Sequence, residues 1–333
     1  MRNARINFVE KKKLHIFVVL ESATRAERQR TRAELFFDMS YSNQPLTTSD
    51  LISQMKNRGL KIADERFAAH FLEHVSYFRF AAYLRPMEVD SSHNYKVGAS
   101  FENAVNLYSF DSELRSLIFS AIQNIEISLR AKIINVFSLT HGAMWFIEPS
   151  LAIDKHNFTD NLSTLEREFR RSKEDFIKEH ISKYGPNDYP PVWKLLELAS
   201  FGCMTKLFFN FSDTKTKKSI ARSYYVPQHE ILESWMKSLN ALRNSCAHHS
   251  RVWNRIMPVM PQIPSRLNKN WITIKPTANR LYAILSCMSY WLNAIKPHND
   301  FTQKFKSLLS QYPSIDIRAM GFPLDWEKEP LWR

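Results

Sequence analysis

The residues best suited to chemistry lie between Trp235 and Ile256. Asn240, Asn244, His248, Arg251 and Arg255 fall at i, i+4, i+8, i+11 and i+15, which is one stripe of a helix. Arg243 lies on the flank of that stripe. A second stripe of Leu239, Leu242, Cys246, His249, Trp253 and Ile256 is spaced to face a core, which makes His249 a hydrogen-bonded core residue. A solvated helix face usually carries Glu and Lys, yet no acid occurs from Lys237 to Ile256. Two amides, an imidazole and arginines suit a phosphate better than water. Imidazole gains or loses a proton near neutrality, so His248 can serve as acid or base. Arg243 and Arg251 can steady the charge of a phosphorane, and Asn244 can orient the imidazole or a substrate oxygen. RNA brings its own nucleophile, the 2′-OH, so this chemistry calls for no metal and no cofactor. Arg243 and His248 are separated by about 140° around a helix. They converge if the Arg side chain wraps, if the helix distorts, or if a second copy contributes.

Composition narrows the alternatives. Only 6 of 333 residues are Gly, and no two lie closer than Gly185 and Gly202. Phosphate-cradling loops need clustered glycines, so P-loop and dinucleotide-binding fingerprints are excluded. The same poverty argues against sandwiches and barrels. Hydrophobic residues make up 44%, enough for a buried core. The net charge of +13 favours a polyanionic partner, nucleic acid or an anionic surface. Cys203, Cys246 and Cys287 are odd in number and widely spaced, which argues against a disulfide framework or thiolate zinc site and fits a reducing cytoplasm. No apolar run is long enough to span a membrane.

The elements that must position these groups read as helices. Residues 1–44 form a loose basic extension, with Met39 a candidate true start. Residues 45–95 form a small helical region. One helix there is capped around Thr48–Asp50, and another runs from about Asp64 to Tyr83 with Phe67, His70, Phe71, His74 and Phe78 on one apolar face. Residues 96–300 form a bundle. Its strongest signal runs from Phe101 to Leu139, where Leu107, Leu114, Ile118, Ile122, Ile125, Leu129, Ile133 and Val136 recur at helical spacing, with Arg115, Gln123, Glu126 and Arg130 opposite. Further helices are expected over about 162–183, 192–210, 228–255 and 278–294, and residues 301–333 form an irregular Trp/Pro-rich segment packed on the bundle.

The run Leu242-Arg243-Asn244-Ser245-Cys246-Ala247-His248-His249-Ser250-Arg251-Val252-Trp253-Asn254-Arg255 resembles the signature of bacterial abortive-infection (Abi) proteins of the AbiD/AbiF type. Its Arg-x4-His core is the mark of the HEPN superfamily of helical RNases. Other segments resemble the family in order: Tyr77 to Tyr83, Tyr108 to Arg115, Ile125 to Arg130, Pro191-Val192-Trp193, Ser200-Phe201-Gly202, and Met320 to Pro323 with Trp326, Pro330, Leu331 and Trp332. The resemblance implies an all-α, HEPN-like bundle with an N-terminal helical extension. It implies metal-independent RNA cleavage in anti-phage defence, at a composite site across a homodimer. Residue by residue, it makes Arg243 and His248 the catalytic pair with Asn244 beside them. Arg251, Arg255 and Arg130 are candidates for RNA phosphates, and Glu126 and Asn240 for polar support. A small antitoxin RNA is a further partner implied by the toxin-like character of such proteins.

Three other readings compete. His70-Phe71-Leu72-Glu73-His74 matches the inverted zinc-peptidase pattern, but an apolar setting for both histidines and the lack of a third ligand helix weigh against it. The basic and aromatic content would also serve a non-catalytic RNA-binding module within a toxin–antitoxin system. Nucleotidyl transfer would require a separate transferase, because no such motif is present here.

Overall fold

A computed structural model describes residues 44–276 and 279–333, so the expectations for the basic extension, Met39 included, lie outside the described residues. Among the described residues the fold is all-α, with no sheet and only isolated bridges such as Glu88 with Tyr95. A small unit comes first, comprising α1 (Thr48–Asn57), α2 (Glu65–His74) and α3 (Tyr77–Leu84). The bundle contains α4 (Phe101–His141), α5 (Lys155–Arg171), α6 (Asp175–Tyr184), α7 (Val192–Leu195), α8 (Phe201–Asn210), α9 (Thr214–Ser223), α10 (His229–Ala247), α11 (Leu281–Ile295) and α12 (Phe301–Gln311).

Short polar side chains set the helix starts by accepting otherwise unpaired N–H groups. Thr47 and Asp50 form a capping box on α1, Ser100 caps α4, Asp154 caps α5, Ser200 caps α8 and Asp213 caps α9. The spine is α4, whose 41 residues span about 60 Å. Its first turns, Phe101 and Ala104, belong to a small core with Ile52, Met55, Leu72 and Phe80. From Leu107 through Phe137 it lines the main core with α8, α9, α10, α11 and α12. Leu281 through Leu292 are all buried, so α11 is enclosed on every side, and its sequence is apolar all round apart from the small Ser286 and Ser289.

Several boundaries depart from the sequence reading. The expected helix over 64–83 breaks at Val75 and Ser76, both with extended ψ angles, and the break resets the phase of the helical faces. The buried residues are therefore Ala68, Leu72, Phe80, Tyr83 and Leu84, while His70, His74 and Phe78 are exposed. The expected helix over 162–183 is two, interrupted at Ser172, and that over 192–210 breaks before the Ser200 cap. The segment after residue 300, expected to be irregular, opens with α12, which buries Phe301, Phe305 and Leu308. Gly321, with φ of +87°, brings the backbone against Arg280 at the start of α11.

Candidate active groove and motif turn

The motif helix is shorter than its periodicity suggested. α10 ends at Ala247, with His248 as its cap and His249 in the left-handed region at φ 55°. His249 N–H donates to the Cys246 carbonyl at 3.0 Å, and Ser250 N–H donates to the Ser245 carbonyl at 2.8 Å. This pair of bonds is a Schellman closure, whose left-handed position is usually Gly. A His in that position concealed the stop. The stripes drawn through 248–256 therefore do not exist as helix faces. Leu239, Leu242 and Cys246 are buried as expected, but His249 and Ile256 are exposed, and Trp253 is buried from a loop. His249 is thus not a core residue. The distortion falls after His248, whose N–H still donates to the Asn244 carbonyl at 2.9 Å, so within one chain the helical angle continues to separate Arg243 from His248.

The turn after α10 is held in place from below. Asp111, fully buried on α4, accepts from Val252 N–H at 3.0 Å and Trp253 N–H at 2.7 Å through Oδ1. Its Oδ2 accepts from the Tyr83 hydroxyl at 2.7 Å and from the buried Arg115 guanidinium. Burial, with the Asp111 charge beside it, pushes the Tyr83 hydroxyl well above its ordinary range. Arg79 of α3 donates to the His249 carbonyl, and Arg251 donates back to the Ala82 carbonyl of α3. Arg280 donates to the Asn254 carbonyl at 2.7 Å. Burial lowers the Arg251 pKa, and its guanidinium is committed to protein backbone.

Above this floor, an open groove lies between α4 and α10, lined by Phe119, Gln123, Asn124, Glu126, Ile127, Arg130 and Arg243. The two helices run in opposite directions here: Arg243 meets Phe119, while the chain beyond α10 meets Asp111, earlier on α4. Asp111, Arg115, Phe119, Gln123, Glu126 and Arg130 form one stripe of α4, which serves as floor at one end and groove wall at the other. Arg243 lies 5.6 Å from the centre of the Phe119 ring, a cation–π distance, and its Nη1 is 3.4 Å from Asn244 Oδ1. Its Nε is buried without a partner. Arg130 is differently placed: Glu126 lies 3.4 Å away, Glu197 3.6 Å, and the Ala199 carbonyl 3.2 Å. Asn240 packs on the first turn of α8, 3.4 Å from where a side chain at Gly202 would begin, so Gly202 permits this close approach. Arg255 reaches Ser245 Oγ at 3.4 Å.

The structure thus brings Arg243, Glu126 and Arg130 to one groove. His248 is exposed at the helix end and is not among the groove-lining residues. Sequence reasoning missed Asp111, Tyr83, Arg79 and Arg280. Of these only Asp111 carried a usable signal, its i, i+4 pairing with Arg115 inside an otherwise apolar helix face. The three cysteines are free and buried, and burial pushes the Cys246 thiol up to about 12, which leaves it inert as a nucleophile.

His70, Glu73 and His74 stand apart from the groove, fully on the surface of α2, with their ligand atoms within 4.8 Å of one another. The apolar setting expected for both histidines is therefore absent. Among the described residues, no helix is long and apolar enough to cross a membrane.

Comparison with known proteins matches one family. No curated protein and no solved structure matches the chain significantly. The family described as Abi-like protein matches residues 70–254, more than half of the chain, from the end of α2 through the Asp111 floor and the groove to Asn254. On that match, the chain belongs to the Abi-like protein family.

Proposed function

We propose that this Abi-like protein is a metal-independent endoribonuclease of the HEPN type that acts in abortive infection. Family membership ties the chain to abortive infection, and the ribonuclease reading rests on the groove. The observation that carries it is the contrast among the cations. Arg130 is matched by carboxylates and Arg251 by backbone, whereas Arg243 has no acidic partner among the described residues and lines an open groove. An unmatched guanidinium there suits a substrate phosphate.

In this reading His248 takes the proton of the ribose 2′-OH, and the 2′-oxygen attacks the adjacent phosphorus. Arg243 steadies the added negative charge, and the bond to the 5′-oxygen breaks as that oxygen takes up a proton from the now protonated imidazole or from water, leaving a 2′,3′-cyclic phosphate and a 5′-hydroxyl end. Asn244, 3.4 Å from Arg243, keeps the guanidinium oriented. A second copy would bring another Arg243 and His248 to the same substrate, forming a homodimeric site. Arg255, on the motif turn, supplies a further phosphate contact, and Arg130 does so when substrate displaces Glu197.

The test incubates purified protein with labelled structured RNA in EDTA, beside the His248→Ala variant. Cleavage by the parent alone, with 2′,3′-cyclic phosphate ends, supports the reading. RNA binding of equal strength in both proteins, with no cleavage by the parent even when growth inhibition is intact, favours the non-catalytic RNA-binding module instead.

A further inference from the structure

On the outer face of α2, three side chains with metal-ligand chemistry share one patch. His70, Glu73 and His74 occupy i, i+3 and i+4, so one helical turn presents all three on the same side. Their ligand atoms lie within 4.8 Å of one another, and all three residues are exposed. The two imidazole rings are 4.4 Å apart between centres. His74 Nδ1 is 2.9 Å from the His70 carbonyl. A carbonyl can only accept, so Nδ1 carries the proton, and in the neutral ring Nε2 of His74 keeps the lone pair that a metal ion takes. A hydrogen bond from the non-ligating ring nitrogen is the usual way a protein fixes the tautomer of a ligating His. Glu73 is exposed and makes no ion pair among the described residues.

We propose that α2 carries a surface site for a borderline transition-metal ion, bound by His70 Nε2, His74 Nε2 and the Glu73 carboxylate. Two imidazoles and one carboxylate suit Cu²⁺, Ni²⁺ and Zn²⁺, and Cu²⁺ binds most tightly by the general order for nitrogen and oxygen donors. Hard ions such as Mg²⁺ prefer oxygen-rich sites and are excluded by the same donor set. The remaining coordination positions face solvent. This placement on the exposed surface of α2 separates the site from peptidase chemistry, which is carried out within a cleft. It also separates it from the groove, where the proposed cleavage uses no ion. The ion's effect is local: it ties the last turn of α2, which ends at His74 immediately before the break into α3.

The test uses the tag-free full chain. Isothermal titration with CuCl₂, ZnCl₂ and MgCl₂ is run on the parent, on His70→Ala, on His74→Ala and on Glu73→Gln, with His248→Ala as a control. The expected result is one Cu²⁺ equivalent at this site and a weaker Zn²⁺ equivalent, with no Mg²⁺ binding. Each His substitution weakens Cu²⁺ roughly tenfold or more, and Glu73→Gln weakens it less. Electron paramagnetic resonance of the Cu²⁺ form shows coupling to two imidazole nitrogens in the parent and to one in His74→Ala. The residues are exposed, so circular dichroism of the metal-free variants should match the parent. Cu²⁺ binding unchanged in the His70→Ala/His74→Ala double variant overturns the proposal, as does Mg²⁺ binding equal to that of Zn²⁺. Neither result bears on RNA cleavage in EDTA.

Discussion

The floor under the motif turn and the groove above it are built from the same stripe of α4, yet they treat polar groups in opposite ways. In the floor, every partner is supplied. Asp111 receives Tyr83, Arg115 and two backbone N–H groups, and all of these lie out of water. In the groove, Arg243 leans on an aromatic ring with an unpartnered Nε, and outside the groove lining His248 stands exposed at the end of α10. A buried polar group without a partner is costly, so the floor must be complete to be stable. A group awaiting substrate must remain unmatched. The difference separates residues that hold the motif from residues that are free to use it.

That contrast can be tested by substitution. The largest effect is expected from Asp111→Ala, which strands Arg115, the Tyr83 hydroxyl and two N–H groups inside the protein. Loss of about 3–5 kcal/mol in chemical denaturation is expected, as for breaking other buried ion pairs. A loss below 1 kcal/mol would show that the floor is not the anchor described here. Next is Gly321→Ala, where a Cβ would lie 2.5 Å from Arg280 Cβ on a backbone at φ +87°. A cost of about 1–3 kcal/mol is expected. Protection of the Val252 and Trp253 amides from hydrogen exchange should fall with it if Arg280 supports the turn.

A third test uses a carboxylate remote from both regions. Burial alone would raise the pKa of Asp213, but hydrogen bonds from Thr216, His141 and the Lys215 N–H outweigh it and bring the carboxyl down to about 2 from an ordinary 3.8. A carboxyl depressed on folding contributes stability that is complete above its unfolded pKa and lost as pH falls through its folded one. Asp213→Ala should therefore cost about 1 kcal/mol near neutrality, as for loss of a helix cap, and progressively less as the pH falls to about 2 and below. Denaturation at both pH values checks the sign. The smallest effect on stability is expected from Arg243→Ala and His248→Ala, each within about 0.5 kcal/mol. Both should abolish growth inhibition. Either variant remaining fully toxic would break the division between holding and acting residues.

The sequence showed some of this arrangement and hid the rest for physical reasons. The periodicity of α4 was legible because a 41-residue helix repeats its pattern many times. The stop after α10 was not, because the left-handed position is filled by His249 rather than Gly, and Arg79 and the Schellman bonds hold it there. Likewise Val75 and Ser76 carry no turn signature, so the phase change between α2 and α3 misplaced His70 and His74 on a core face. Arg115, Glu126 and Arg130 were correctly grouped on one side of α4. Their side faces α10, however, and a one-dimensional pattern cannot distinguish a solvated face from one packed against a polar partner. The Asp111 contacts join residues more than 140 positions apart, a distance that no local pattern spans.

The single rod that carries the small core, the motif floor and the groove wall also limits how the chain can change over evolution. One residue inserted between Asp111 and Glu126 would turn everything downstream by about 100° and advance it by about 1.5 Å. Asp111 would keep its grip on the turn while Glu126 and Arg130 rotated out of the groove. Insertions and deletions in this stretch should therefore be rejected among functional relatives, leaving substitution as the permitted mode of change. Loops such as that joining α6 to α7 can vary in length at little cost.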